Sequence, residues 1–176
     1  AMDHRPDPKA ILGQIEKSDR RTKKGRLRIF FGMSAGVGKT FAMLKAAHDR
    51  LKEGTDVVIG TVDTHGRKET ADLVEGLPII PKRRDSYKGT MLEEMDLDAL
   101  LSRRPQLVLV DELAHSNVEG SRHPKRWQDV EELLSRGIDV YTTLNVQHLE
   151  SINDMVTKLT GVVVRETVPD SVFDDA

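Results

Sequence analysis

A glycine-rich turn set between an apolar strand and a helix constrains this chain more than any other feature. Residues 27–31 read LRIFF, a short strand ending at Gly32. Gly32-Met33-Ser34-Ala35-Gly36-Val37-Gly38-Lys39-Thr40 follows. From Phe41 to Lys52 the side chains of Phe41, Leu44, Ala47 and Leu51 share one helical face, and Gly54 supplies the stop. Glycines let the backbone curl until successive amides point inward, and the helix start adds partial positive charge. Strand, turn and helix together make an anion cradle, and such a unit needs further parallel strands beside it.

The rest of the sequence supplies them. β-Branched or apolar runs at Asp56–Val62, Gln106–Val110, Ile138–Leu144 and from Val162 read as strands. Helices are expected at Arg67–Glu75, Leu92–Arg103 and Pro124–Arg136, and a last one carries Val146, Leu149, Ile152, Met155, Val156 and Leu159 before Gly161. Residues 77–90, with two prolines and several cations, read as irregular. This alternation predicts an α/β fold: a mainly parallel sheet of about five strands with helices on both faces, three layers in all. Ligands of such sheets sit beyond the carboxyl ends of the strands. The polar residues after Phe31, Val62, Val110 and Leu144 fall there.

A chain of 176 residues buries one sizeable core and is short for two ordinary domains. Residues 1–26 read as a leader with a short helix (Ala10, Ile11, Ile15) and a basic stretch from Lys17 to Arg28; residues 27–176 read as one nucleotide-binding domain. The basic stretch suits a solvated lead-in or a contact with anionic lipid or an acidic partner. Without cysteine there is no disulfide framework, cysteine metal site or thiol nucleophile. The 27 basic and 29 acidic residues nearly cancel, which argues against a general polyanion binder, and no nucleic-acid partner is expected. No apolar run is long enough to span a bilayer, and the polar start lacks a signal peptide. Ala1 before Met2 reads as a tag remnant, and the end at Ala176 as a cut within a longer protein.

The chemistry centres on the cradle. Amides from Gly36, Val37, Gly38, Lys39, Thr40 and Phe41 are positioned to bind phosphates, Lys39 to place charge between β- and γ-phosphate, and Thr40 to ligate Mg²⁺. The usual spacing puts the first glycine at position 33; Met33 stands there, and Gly32 is expected to make the bend instead. Leu107 to Val110 deliver Asp111 and Glu112 to the sheet edge. Asp111 can then hold the Mg²⁺ shell opposite Thr40, and Glu112 can polarise a water for attack on the γ-phosphate, with two carboxylates that simply cap a loop as the alternative. Such an acid pair favours the hydrolase-like branch of phosphate-loop proteins, and resemblance to that branch, rather than any periodicity, implies a fourth strand between the first and third and the order 5-1-4-3-2. In that branch the fourth strand ends in a γ-phosphate sensor; Thr143, Asn145 and Gln147 are placed for it and Asn145 is preferred, with an N-cap role as the alternative. Arg122 or Arg126 would neutralise developing charge, or else make structural ion pairs. A gathering of His65, His115, His123 and His148 would make a metal site; polar loop histidines are the plainer reading.

The stretches FFGMSAGVGKTFAML, VDTHGRKET and, above all, VDELAHSNVEGSRHPKRWQDVEELLSRGIDVYTTLNVQHLESIND closely resemble the N-terminal cytoplasmic domain of the KdpD family, bacterial sensor histidine kinases of potassium limitation and osmotic stress. The resemblance runs over residues 27–170. It implies an ATP-binding domain on the cytoplasmic side of an inner-membrane sensor, joined to transmembrane helices and a kinase region. It also implies regulation of kinase and phosphatase activity toward the response regulator KdpE. ATP rather than GTP rests on this resemblance, because no base-reading motif stands out. Three readings remain open: a regulatory ATP-binding module, a stand-alone ATPase or small-molecule kinase, and a scaffold that binds no nucleotide.

Overall fold

The computed structural model describes residues 24–32, 37–145, 147, 159 and 163–168. The leader helix, residues Met33 to Gly36 and most of the expected helix from Val146 lie outside the described residues. The elements are β1 (Leu27–Gly32), α1 (Val37–Lys52), β2 (Val57–Thr61), α2 (Lys68–Val74), β3 (Arg83–Tyr87), β4 (Thr90–Glu94), α3 (Leu97–Arg103), β5 (Leu107–Val110), α4 (Arg126–Ser135), β6 (Asp139–Asn145) and β7 (Val163–Thr167).

Five strands form one sheet in the order β2-β5-β6-β1-β7, and every pairing is parallel. Leaving aside the hairpin strands β3 and β4, this is the order 5-1-4-3-2 read from the opposite edge. Alternation along each strand divides the core between the two faces. Leu27, Ile29, Phe31, Val58, Val108 and Val110 meet Leu100, Val130, Leu133 and Leu134 on the side of α3 and α4. Phe30, Val57, Ile59, Leu107 and Leu109 meet Met43, Leu44 and Ala47 of α1 on the other. Helices therefore cover both faces, and the three-layer α/β expectation holds. Pro78 to Ile80 cover the edge of β2, since the Ile59 amide donates to the Pro78 carbonyl at 2.8 Å and the Ile80 amide to the Ile59 carbonyl at 3.0 Å.

The main departure from the sequence reading is a hairpin. Residues 77–90 were expected to be irregular and a helix to begin at Leu92; instead β3 and β4 pair antiparallel, and α3 begins only at Leu97. The cause is the Lys88-Gly89 turn, in which both φ angles are positive (51° and 77°), as in a two-residue hairpin of primed type. Opposite charges face each other across the pair, Arg83 against Glu94 and Arg84 against Glu93. The helix start is moved by Asp96, whose carboxylate caps α3 by accepting from the Ala99 amide at 3.1 Å.

Candidate functional site

β1 ends at Gly32 and α1 opens at Val37, so the expected cradle spans the junction of strand and helix; Gly36 lies outside the described residues. No acidic residue occupies the first turn of α1, which leaves its positive end uncompensated by the helix itself. Lys39 and Thr40 stand in that turn and are buried. Lys39 folds back over Gly32: a Cβ added at Gly32 would lie 2.8 Å from Lys39 Cγ and 3.3 Å from Nζ. Gly32 therefore makes room for the lysine stem, a demand distinct from the bend that its place in the sequence suggested. Phe41 is half-buried, with Lys45 Nζ 5.5 Å from its ring centroid.

Opposite Thr40, the end of β5 delivers Asp111, which is 2% exposed. Its carboxylate is heavily engaged. Oδ2 accepts from the Thr40 hydroxyl at 3.0 Å and from the Asp63 amide at 3.1 Å. Oδ1 accepts from the Glu112 amide at 3.2 Å and from the Thr143 hydroxyl. Buried polar oxygens are expected to find hydrogen-bond partners, and both oxygens of this carboxylate do. Arg126, also buried, donates from Nη1 to the Asp111 carbonyl at 2.7 Å. Burial pulls the Arg126 guanidinium below the usual arginine range, against the opposing pull of Glu94, Glu112 and Asp111. Glu112 turns out of the strand in the left-handed region (φ 58°), and its exposed side chain reaches the cleft.

β6 lies between β1 and β5, so its end completes the crest. Thr143 is buried and accepts from the Glu112 amide at 2.9 Å. Asn145 pairs in register with Gly32, and its Oδ1 is buried with no hydrogen-bond partner among the described residues. A cleft of about 270 Å³ is lined by Lys39, Thr40, Asp111, Glu112, His115 and Asn145, among others. A second polar cavity of about 330 Å³ shares Asp111, Glu112 and His115 with it and runs toward Lys82 and Glu93.

The fit to Mg²⁺ can be tested on these atoms. Neighbouring ligands of an octahedral Mg²⁺ lie about 3 Å apart, given bonds of about 2.1 Å. Thr40 Oγ1 and Asp111 Oδ2 stand 3.0 Å apart. Both are oxygen donors, and the pair fits the ion.

Other expectations fare differently. Arg122 does not reach the cleft: it pairs with Asp98 of α3 at 2.7 Å and Glu132 of α4 at 2.6 Å. Its loop turns back over those two helices, which present acids to it. Among the described residues the histidines form no common metal cluster, although His65 and His115 both line the cleft: His115 meets Glu94 at 2.9 Å, His123 meets Glu132 at 2.8 Å, and His148 lies outside the described residues. His65 stands instead with Asp63 and Glu112, three exposed side chains whose ligand atoms lie within 4.8 Å of one another. Gln147 is exposed. Glu94, 4% exposed, lines neither cavity but holds two residues that do, His115 and Arg126. The sequence pattern points to no role for it, because it closes a strand within a stretch that reads as helix from Leu92.

A family profile described as "KdpD: Osmosensitive K+ channel His kinase sensor domain" matches residues 23–176. The sensor protein KdpD of Escherichia coli (strain K12) is 59% identical over 172 residues, covering 98% of this chain and 19% of that protein. The sensor protein KdpD of Clostridium acetobutylicum is 56% identical over the same length and coverage. The chain thus spans about a fifth of the length of these relatives. Among solved structures, the flagellar accessory protein FlaH from Methanocaldococcus jannaschii aligns at a TM-score of 0.47 and 16% identity, over 85% of this chain and 76% of that one.

Proposed function

The chain belongs to the KdpD family of osmosensitive potassium-channel histidine-kinase sensor domains, and from that premise we propose that it is the module through which such a sensor binds Mg-ATP. The observation that carries the proposal is the convergence of Lys39, Thr40 and Asp111, each less than a tenth exposed, on one cleft at the carboxyl end of the sheet. Lys39 supplies the charge that a β/γ-phosphate pair needs, and the amides of the first turn of α1 supply donors. Thr40 and Asp111 would hold Mg²⁺, which when bound offsets phosphate charge. The unpartnered Oδ1 of Asn145 is an acceptor for a water or a metal-bound ligand at the γ-phosphate end.

Nucleotide occupancy then acts as a regulatory input. A bound ligand shifts a conformational equilibrium only by its differential affinity for the two states. In the full sensor the recipients are its own cytoplasmic and kinase regions and, through them, the response regulator KdpE. The domain would lie on the cytoplasmic side of the inner membrane, with membrane attachment supplied by other parts of the sensor. No described helix is itself long and apolar enough to cross a bilayer.

Calorimetry with Mg-ATP on the wild type and Lys39→Ala tests the proposal. Removing the lysine should weaken binding by at least about tenfold, or 1.4 kcal/mol. Equal binding by both proteins removes the role given to Lys39.

A second reading, an ATPase or small-molecule kinase, is favoured by one observation: Glu112 is exposed to both cavities, where a nucleophile could be polarised. Turnover that disappears in Glu112→Gln while binding survives supports it. A rate no faster than buffer rejects it.

A further inference from the structure

The hairpin β3–β4 does not join the main sheet. A two-stranded ribbon is marginal on its own, so its attachments decide its position. Three of them converge on one loop, the segment that leaves the acid pair and runs to α4. Arg83 Nη2 donates to Ser121 Oγ at 3.0 Å. At the tip, the Tyr87 hydroxyl donates to Glu119 Oε2 at 2.8 Å. At the base, Glu94 Oε1 accepts from the Val118 amide at 2.9 Å.

Glu94 also ties this loop to the cleft. The carboxylate meets His115 Nε2 at 2.9 and 3.1 Å and Arg126 Nη2 at 3.6 Å. Arg126 is the residue that holds the Asp111 carbonyl, and the His115 amide donates to the Glu112 carbonyl at 3.1 Å. His115 itself lines the cleft. A buried carboxylate cannot change partners cheaply, so the hairpin base and the Asp111-Glu112 turn must move together.

We propose that Glu94 is a positioning residue that couples the occupancy of the cleft to the hairpin, and that the hairpin is the arm through which nucleotide state is read. The coupling rests on the Mg-ATP reading above and specifies how that site is regulated. A ligand against His115 or Asp111 reaches the hairpin through the Glu94 carboxylate, and by reciprocity a partner that grips the hairpin changes nucleotide affinity by the same factor.

Hydrogen exchange of the amides in residues 83–94, with and without saturating Mg-ATP, tests this on the whole 176-residue chain. Wild type should show a nucleotide-induced change of about fivefold or more, the lower range of coupling between sites. Glu94→Gln, which keeps the shape and removes the charge, should cut that change below about twofold while Mg-ATP affinity stays within about threefold. A purely structural Glu94 would lower the melting temperature and leave the nucleotide-induced difference intact, which overturns the proposal. So does a wild-type hairpin that ignores Mg-ATP while calorimetry records binding; in that case the nucleotide reading survives. Absence of binding to the wild type removes both. If Glu94→Gln does not fold, Tyr87→Phe at the exposed tip replaces it: a diminished response supports the coupling and an unchanged one overturns it.

Discussion

Replacing Thr143 by valine tests whether the acidic strand end is held by the hydrogen bonds just described. The residue is 2% exposed, and valine keeps its shape. What is lost is the hydroxyl that donates to the Asp111 carboxylate and accepts from the Glu112 amide at 2.9 Å. A hydrogen bond to a charged group contributes about 1.5–3 kcal/mol. The Glu112 amide is not orphaned, because Asp111 Oδ1 still lies 3.2 Å away. The added methyl group returns about 0.8 kcal/mol through burial. The net expectation is a loss of about 1–2 kcal/mol, or a melting temperature lower by about 2–4 °C for each kcal/mol in a chain of this size. Urea unfolding should show a lower midpoint at an unchanged m-value. Thr143→Ser separates the bond from the packing: it sacrifices a methyl group but should retain wild-type affinity for Mg-ATP. A valine variant as stable as the wild type would refute the claim that these bonds hold Asp111 in place.

Two more outcomes follow from particular contacts. Gly32→Ala sets a methyl group 2.8 Å from Lys39 Cγ and 2.9 Å from Cδ, so the lysine must shift; stability should fall by about 1–3 kcal/mol, as in other overpacked cores, and Mg-ATP titration should show weaker binding. Asp129 offers a pH test. Burial raises its carboxyl above the ordinary 3.8, against the Asn117 amide, His123 and Arg126, which lower it. A raised folded value means that the native state holds this proton more tightly than the unfolded chain does. Its contribution is therefore complete below the unfolded value and lost as pH climbs through the folded one. Asp129→Asn should flatten that segment of the stability-versus-pH curve; an unchanged slope in acid-range urea titrations would contradict it.

The parts of this molecule that were legible in the sequence are those fixed by local pattern. Leu107 to Val110, buried without exception, could only be a central strand, and Asp111 then had to emerge at its carboxyl end. Lys39 and Thr40 followed from the glycine spacing, whereas the five-strand order came from the resemblance to a branch of phosphate-loop proteins and not from any local pattern. What escaped was fixed across the chain. Arg122 looked ready for phosphate because it follows the acid pair closely, yet Asp98 and Glu132, brought near by the packing of α3 and α4, claim it. The hairpin was hidden by a conflict of periods: Leu92, Met95 and Leu100 suit a helix, whereas the alternation up to Glu94 suits a strand. Lys88-Gly89 carried the deciding signal, weaker than Asn-Gly because lysine seldom takes positive φ. That missed hairpin is also the element that places Glu94 against His115 and Arg126. Any reading of residues 83–94 as loop and helix therefore separates the acidic strand end from the hairpin packed beside it, and the Glu94 link between the two becomes visible only once the strand pairing is known.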